Sequence, residues 1–190
     1  MLEREFPGVL RAAASGDEGA FAQLWRDAHP PLLRYLRLVA GDAAEDVASE
    51  VWLEVARRLR RFRGSEQDFR GWLFTLARRR VIDLRRSCAR RPVRLTAETA
   101  ELDRPATDDT AAVALENLST EGALALIGTL PRYQAEVIVL RVIAGLDVAQ
   151  VARIVGKRPG AVRAAAHRGL RALAARLSVS APQGNAQGKE

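Results

Sequence analysis

Apolar residues recur every three or four positions along most of the chain, and no stretch alternates with the two-residue period of a strand. A first strong segment runs from about Glu18 to Ala28, with Asp17 placed to cap it and Phe21, Leu24 and Trp25 on one face. Pro30-Pro31 predicts a break, because proline lacks the amide hydrogen that an α-helix needs. Leu32, Leu33, Tyr35, Leu36 and Val39 restart the pattern up to Gly41. Asp42 is the expected cap of the next helix, in which Val47, Val51, Val55 and Leu59 return every four residues with Trp52 alongside. That helix is expected to end near Arg63-Gly64. The polar stretch Ser65-Glu66-Gln67 leads to Asp68, another expected cap, and to a helix carrying Phe69, Trp72, Leu73, Leu76, Ala77, Val81 and Leu84.

From Arg91 to about Leu118 the periodicity gives way to Thr, Ala, Asp, Glu and Pro, the composition of a linker. Helical spacing resumes over Glu121–Thr129 and Tyr133–Ile143. Val148, Val151, Ala152, Ile154 and Val155 then mark a short helix stopped by Gly156, and Pro159-Gly160 opens another. A short helix, a turn containing glycine and a second, basic helix make a helix-turn-helix, whose second helix lies in the DNA major groove. The expected fold is therefore all-α, with two small helical domains joined by a flexible linker. The divisions fall at 1–90, 91–118 for the linker, 119–178 for the helix-turn-helix domain, and 179–190 for a disordered polar tail.

The net charge of +7 is spread unevenly along the chain. Residues 55–95 hold fourteen Arg against three acids, whereas 96–121 hold seven acids against one Arg. The first 54 residues are net acidic, and the stretch from 122 onward has ten bases and three acids. Two basic blocks flanked by acidic ones point to a polyanion gripped at two footprints. All but two of the thirty bases are Arg, which suits phosphate and guanine edges but also follows from G- and C-rich coding, so this preference carries no weight. Cys88 is the lone cysteine, which excludes an internal disulfide and a thiolate zinc cluster. His29 and His167 have no metal-ligand spacing, and no cofactor is expected. No apolar run approaches the roughly 20 residues of a membrane span, and no secretory signal is recognisable, so the expected compartment is the cytoplasm.

The first basic block interleaves arginines with Phe62, Phe69, Trp72 and Phe74, as single-stranded nucleic acid binding requires: cations follow phosphates while rings stack on unpaired bases. Trp72 falls on the apolar stripe and reads as core, which leaves Phe69, beside the loop, as the expected stacking ring. Arg79 and Asp83 stand one helical turn apart and share a face, where a plain intrahelical pair is the simpler reading.

These two segments carry a resemblance. Ala44–Gly64 (AEDVASEVWLEVARRLRRFRG) with Phe69–Arg86 (FRGWLFTLARRRVIDLRR) resembles the second conserved region of extracytoplasmic-function sigma factors, the small promoter-specificity subunits of bacterial RNA polymerase. Leu130–Leu173 resembles their fourth region, and the likeness extends over about Gly16–Leu177. The resemblance implies that the helix of Asp46, Glu50 and Trp52 docks on core polymerase. It implies that Arg63, Phe69, Arg79 and Asp83 engage the minus-ten element and capture a base from the opened strand, with Arg78, Arg80, Arg85 and Arg86 on phosphates. Family members often carry an amide where Arg79 stands. It further implies that Lys157, Arg158, Arg163, Ala164, His167 and Arg168 meet duplex DNA at the minus-35 element, with Arg163 as the principal base reader and Ala164 able to touch a thymine methyl.

The partners so implied are core RNA polymerase, promoter DNA as duplex and as opened strand, and an anti-sigma protein; the free chain is expected to be monomeric. The alternative is a stand-alone helix-turn-helix transcription regulator, which would leave the arginine- and aromatic-rich block unexplained. An enzyme is not expected, because the sequence shows neither a carboxylate cluster for two metals nor a nucleophile beside a base.

Overall fold

The computed structural model describes residues 5–90 and 120–179. The expected linker and all but the first residue of the expected tail lie outside the described residues. Two helical domains are seen. The first comprises α1 (Phe6–Ala14), α2 (Glu18–Ala40), α3 (Ala44–Arg58) and α4 (Glu66–Arg90), and the second α5 (Thr120–Gly128), α6 (Arg132–Ile138), α7 (Val148–Val155) and α8 (Pro159–Val179). No strand occurs among the described residues.

The anticipated break at Pro30-Pro31 is absent, and α2 runs through both prolines. A proline inside a helix costs about 3 kcal/mol. Leu24 and Ala28 before the pair and Leu32, Tyr35 and Leu36 after it all lie on one buried face. Each large apolar side chain contributes about 1.5–3 kcal/mol on burial, so packing outweighs propensity. Asp17 caps α2 as expected, its Oδ1 accepting from the Ala20 amide at 2.7 Å. Asp42 does not cap α3; it sits in a 3-10 turn over Gly41–Ala43, and no side chain caps the helix that follows. The helix α1 escaped the periodicity argument because it is short, yet it seats Phe6 in the core against the Phe69 ring, 5.8 Å between centroids.

In the second domain, α6 continues into a π-helical turn over Val139–Ile143. Asp147 and Gln150 form a reciprocal cap on α7: the Gln150 amide donates to Asp147 Oδ1 at 2.7 Å and the Asp147 amide to Gln150 Oε1 at 3.1 Å. Gly156 takes the left-handed conformation at φ 67°, as the turn between α7 and α8 demands. Val162 and Ala165 on α8 are fully buried, and Gly169 lets α8 approach α6 closely.

A Cβ added at Gly169 would stand 2.5 Å from Ile138 Cδ1. Alanine is the better helix former by about 1 kcal/mol, but overpacking a filled core costs about 1–3 kcal/mol. We expect Gly169→Ala to be destabilising, and Ile138→Val, which deletes the offending Cδ1, to recover part of the loss in the double variant. Chemical denaturation of the four proteins of that cycle checks this, and simple additivity would show that no clash exists.

Candidate nucleic-acid interface

The loop before α4 is built by local chemistry. Ser65 caps α4, and Asp68 answers it: the Asp68 amide donates to Ser65 Oγ at 3.2 Å, while Ser65 donates from its amide (2.9 Å) and its hydroxyl (2.7 Å) to Asp68 Oδ2. Asp68 is thus not the cap itself but the residue that closes the box. These hydrogen bonds from Ser65 hold its carboxyl below the usual carboxylate range. Gly64 sits at φ 152°, and a Cβ there would come 2.8 Å from Asp68 Cβ. The loop therefore accepts no side chain at 64.

Phe69 is not available for stacking on a base. It is 2% exposed and its ring is enclosed by Phe6, Phe62 and Trp72, with centroids 5.7–6.0 Å away. The residue after a polar loop looked peripheral, but the first turn of α4 aims it inward. Phe62 and Trp72 stack on each other at 5.1 Å, and both are half-buried, so they are the rings at this surface.

The arginines divide into two groups. Arg78 and Arg80, expected on phosphates, are held by carboxylates: Arg78 Nε donates to Glu136 Oε1 at 2.9 Å, and Arg80 meets Glu54 Oε2 at 2.8 Å and Glu50 Oε2 at 3.8 Å. Arg63, Arg79, Arg85 and Arg86 are exposed. Arg63 donates to the Arg60 and Phe62 carbonyls at 2.8 and 2.7 Å, and Arg85 to the Val39 carbonyl. Asp83 is exposed and lies 3.9 Å from Arg86 Nη1. Arg79 lines a cleft of about 370 Å³ with Asp68, Trp72 and Arg153.

On α8 the picture matches the expectation more closely. Lys157 and Arg158 in the turn, and Arg163, Ala164, His167 and Arg168 on the helix, are all exposed, while Val162, Ala165 and Gly169 face inward. Only Ala164 of the three consecutive alanines is fully presented, since Ala165 is buried and Ala166 half-buried. Leu170, 51% exposed, adds an apolar residue to this helix that charge reasoning passed over.

On α3, Asp46 and Glu50 are exposed, but Trp52 is not a surface contact. It is 7% exposed, packs edge-on against Phe21 at 5.8 Å, and donates from Nε1 to His29 Nδ1 at 3.2 Å. Burial lowers the pKa of His29, which keeps Nδ1 unprotonated and able to accept. The exposed stripe of α3 instead carries Leu53, 56% exposed, one helical turn beyond Glu50. Its position off the Val47–Val51–Val55 stripe was the overlooked signal. Among the described residues no group of three or more His, Cys, Asp or Glu could hold a metal, and no helix is long and apolar enough to cross a membrane.

Because Phe69 belongs to the core, Phe69→Ala should cost about 3–5 kcal/mol of stability. Thermal unfolding measures this. A variant with an unchanged melting temperature would return Phe69 to the surface.

Residues 24–91 match the model of sigma-70 region 2, and residues 121–173 that of sigma-70 region 4. The chain is 34% identical over 176 residues to the ECF RNA polymerase sigma factor ShbA of Streptomyces griseus, covering 88% of this chain and 92% of that one. It is 33% identical over 179 residues to the ECF RNA polymerase sigma factor SigD of Mycobacterium tuberculosis, covering 91% and 84%. Among solved structures it resembles CnrH in complex with the cytosolic domain of CnrY, with a TM-score of 0.56 and 25% identity over 90% of this chain and 96% of that one. The fold also matches the sigma factor RpoE in complex with the anti-sigma factor NepR from Bartonella quintana, with a TM-score of 0.61 and 20% identity over 84% and 97%. Matched in both of its helical domains, in order, and a third identical to relatives over most of their length, the chain belongs to the ECF RNA polymerase sigma factors of the sigma-70 family.

Proposed function

We propose that this sigma factor brings core RNA polymerase to promoters whose two elements are met by different domains of the chain. The exposed face of α8 enters the major groove of the upstream element, with Arg163 reading a base edge and Lys157, Arg158, His167 and Arg168 around it. The face of α4 carrying Arg79, Asp83, Arg85 and Arg86, with Arg63 and the Phe62–Trp72 ring pair beside it, engages the downstream element and its opened strand. Arg78 and Arg80 join them only if their carboxylate partners release them. Asp46, Glu50 and Leu53 on α3 form the surface for core polymerase. The protein performs no chemistry of its own, and an anti-sigma protein holds it inactive until needed.

The observation that carries this reading is the exposure of every cationic residue on the reading face of α8, while Val162 and Ala165 on the opposite face are buried. Unopposed positive charge on a helix of this geometry is built for a polyanion.

Run-off transcription with core polymerase on genomic fragments tests the proposal. The chain should create start sites that core enzyme alone does not use. Arg163→Ala should weaken use of the upstream element by about 1–3 kcal/mol and relax the base preference at one position. If the chain alone shifts duplex DNA and leaves start sites unchanged, it is a stand-alone regulator and the proposal fails.

A further inference from the structure

The helix α3, proposed above as the surface for core polymerase, is held mostly by packing. No side chain caps its first turn, and none caps the 3-10 turn before it. Of its six buried residues only Trp52 carries a side-chain polar group. Trp52 adjoins Leu53 and stands two residues beyond Glu50, so its setting decides how that exposed stripe is presented. Arg37 of α2 reaches Glu45 of α3 at 3.5 Å, with both side chains more than half exposed. The partly buried tie between the same helices is the one from Trp52 Nε1 to His29 Nδ1 at 3.2 Å.

His29 is gripped from its other side as well. The Trp25 ring, 41% exposed, stacks on the imidazole with centroids 4.3 Å apart and planes 16° from parallel. Pro30 and Pro31 follow directly and fix the backbone φ at two successive positions, so the imidazole is mounted on a stiff segment of α2. Burial opposes protonation of the ring most strongly; Glu45 of α3 favours it and Arg37 of α2 opposes it. The ring is therefore neutral at pH 7. Because Nδ1 accepts from Trp52, the proton belongs on Nε2.

We propose that His29 is a positioning residue for the polymerase-facing side of α3: as a neutral acceptor it fixes Trp52, and with it the setting in which Asp46, Glu50 and Leu53 are presented, and as a cation it releases that setting. This rests on the reading of α3 given above. An imidazolium carries a hydrogen on both nitrogens, so His29 Nδ1 and Trp52 Nε1 become two donors pointing at one another. Trp52, 7% exposed, then keeps a buried donor without an acceptor, the costly state for a polar group. The ring or the helix must shift to satisfy it. The docking-competent arrangement becomes a fraction of the population, and apparent affinity falls by that fraction. Docking is therefore strongest at neutral pH and weakens in acid, as pH falls through a His29 pKa that lies below the ordinary histidine value.

Affinity of the full chain for core polymerase, measured from about pH 7.5 down to about pH 5, tests this. The wild-type chain should lose at least about fivefold over the range in which the His29 ring itself titrates by NMR. His29→Asn places Oδ1 near the position of Nδ1 and does not titrate, so it should dock like wild type at neutral pH and keep that affinity in acid. His29→Leu offers no acceptor and should dock more weakly than wild type at neutral pH. In the free chain, the Trp52 indole N–H resonance should follow the His29 titration and stay in place in His29→Asn. The proposal is overturned if wild-type affinity is flat, if His29→Asn shares the wild-type decline or docks no better than His29→Leu, or if the Trp52 resonance ignores His29. A wild-type chain that binds core polymerase at no pH brings down the reading of α3, and this inference with it. When the chain binds and only these profiles fail, the inference falls alone.

Discussion

The structure depends on how the arginines of α4 find carboxylates. This helix carries seven arginines against three acids, too many like charges to pack beside other helices unless some are neutralised. Three of them anchor neighbours. Arg70 meets Asp27 of α2 at 2.8 Å and Glu66 at 3.1 Å, with its side chain 13% exposed. Arg80 reaches Glu54 of α3, and Arg78 reaches Glu136 of α6. Each pair ties α4 to a different element, and the last one joins the two domains. Exposed pairs such as Arg37–Glu45, with both side chains more than half exposed, contribute at most about 1 kcal/mol. The well-screened pair at Arg70 matters more, because removing one partner would strand a charge away from water.

This division changes what the charge count means. Fourteen arginines in residues 55–95 first read as one polyanion footprint, yet several of them hold the domain together. A block of like charge in a small domain serves structure and ligand at once, and composition alone cannot separate the two roles. With Arg70, Arg78 and Arg80 tied to neighbouring helices, Arg79 and Arg85 remain exposed on the second half of α4, and Arg86 lies beside Asp83.

The helices were legible because their apolar stripes are regular and because Asp17 and Gly156 act through local geometry. The helix-turn-helix was legible for the same reason. The prolines at 30 and 31 misled because the rule they obey is local, whereas the burial that overrides it is gathered from distant residues. Phe69 and Trp52 misled in the opposite sense: each adjoins polar or charged residues in sequence but points inward in space. The contacts between domains were not legible at all. Tyr35 and Glu136 are 101 residues apart, Gln67 and Gln150 are 83 apart, and no periodicity encodes a pairing across such distances. The exposure of the α8 cations was thus legible, whereas which rings and which arginines of α4 reach the surface was not.

The acids of the second domain are few. From α6 to the end of α8 the acids are Glu136 and Asp147. Asp147 is spent on the cap of α7, and Glu136 on Tyr35 and Arg78. Neither lies on the reading face of α8. Among the described residues no ion pair joins a cation of that face to an acid, which is the condition for attracting phosphate over a range of about 10 Å at ordinary salt.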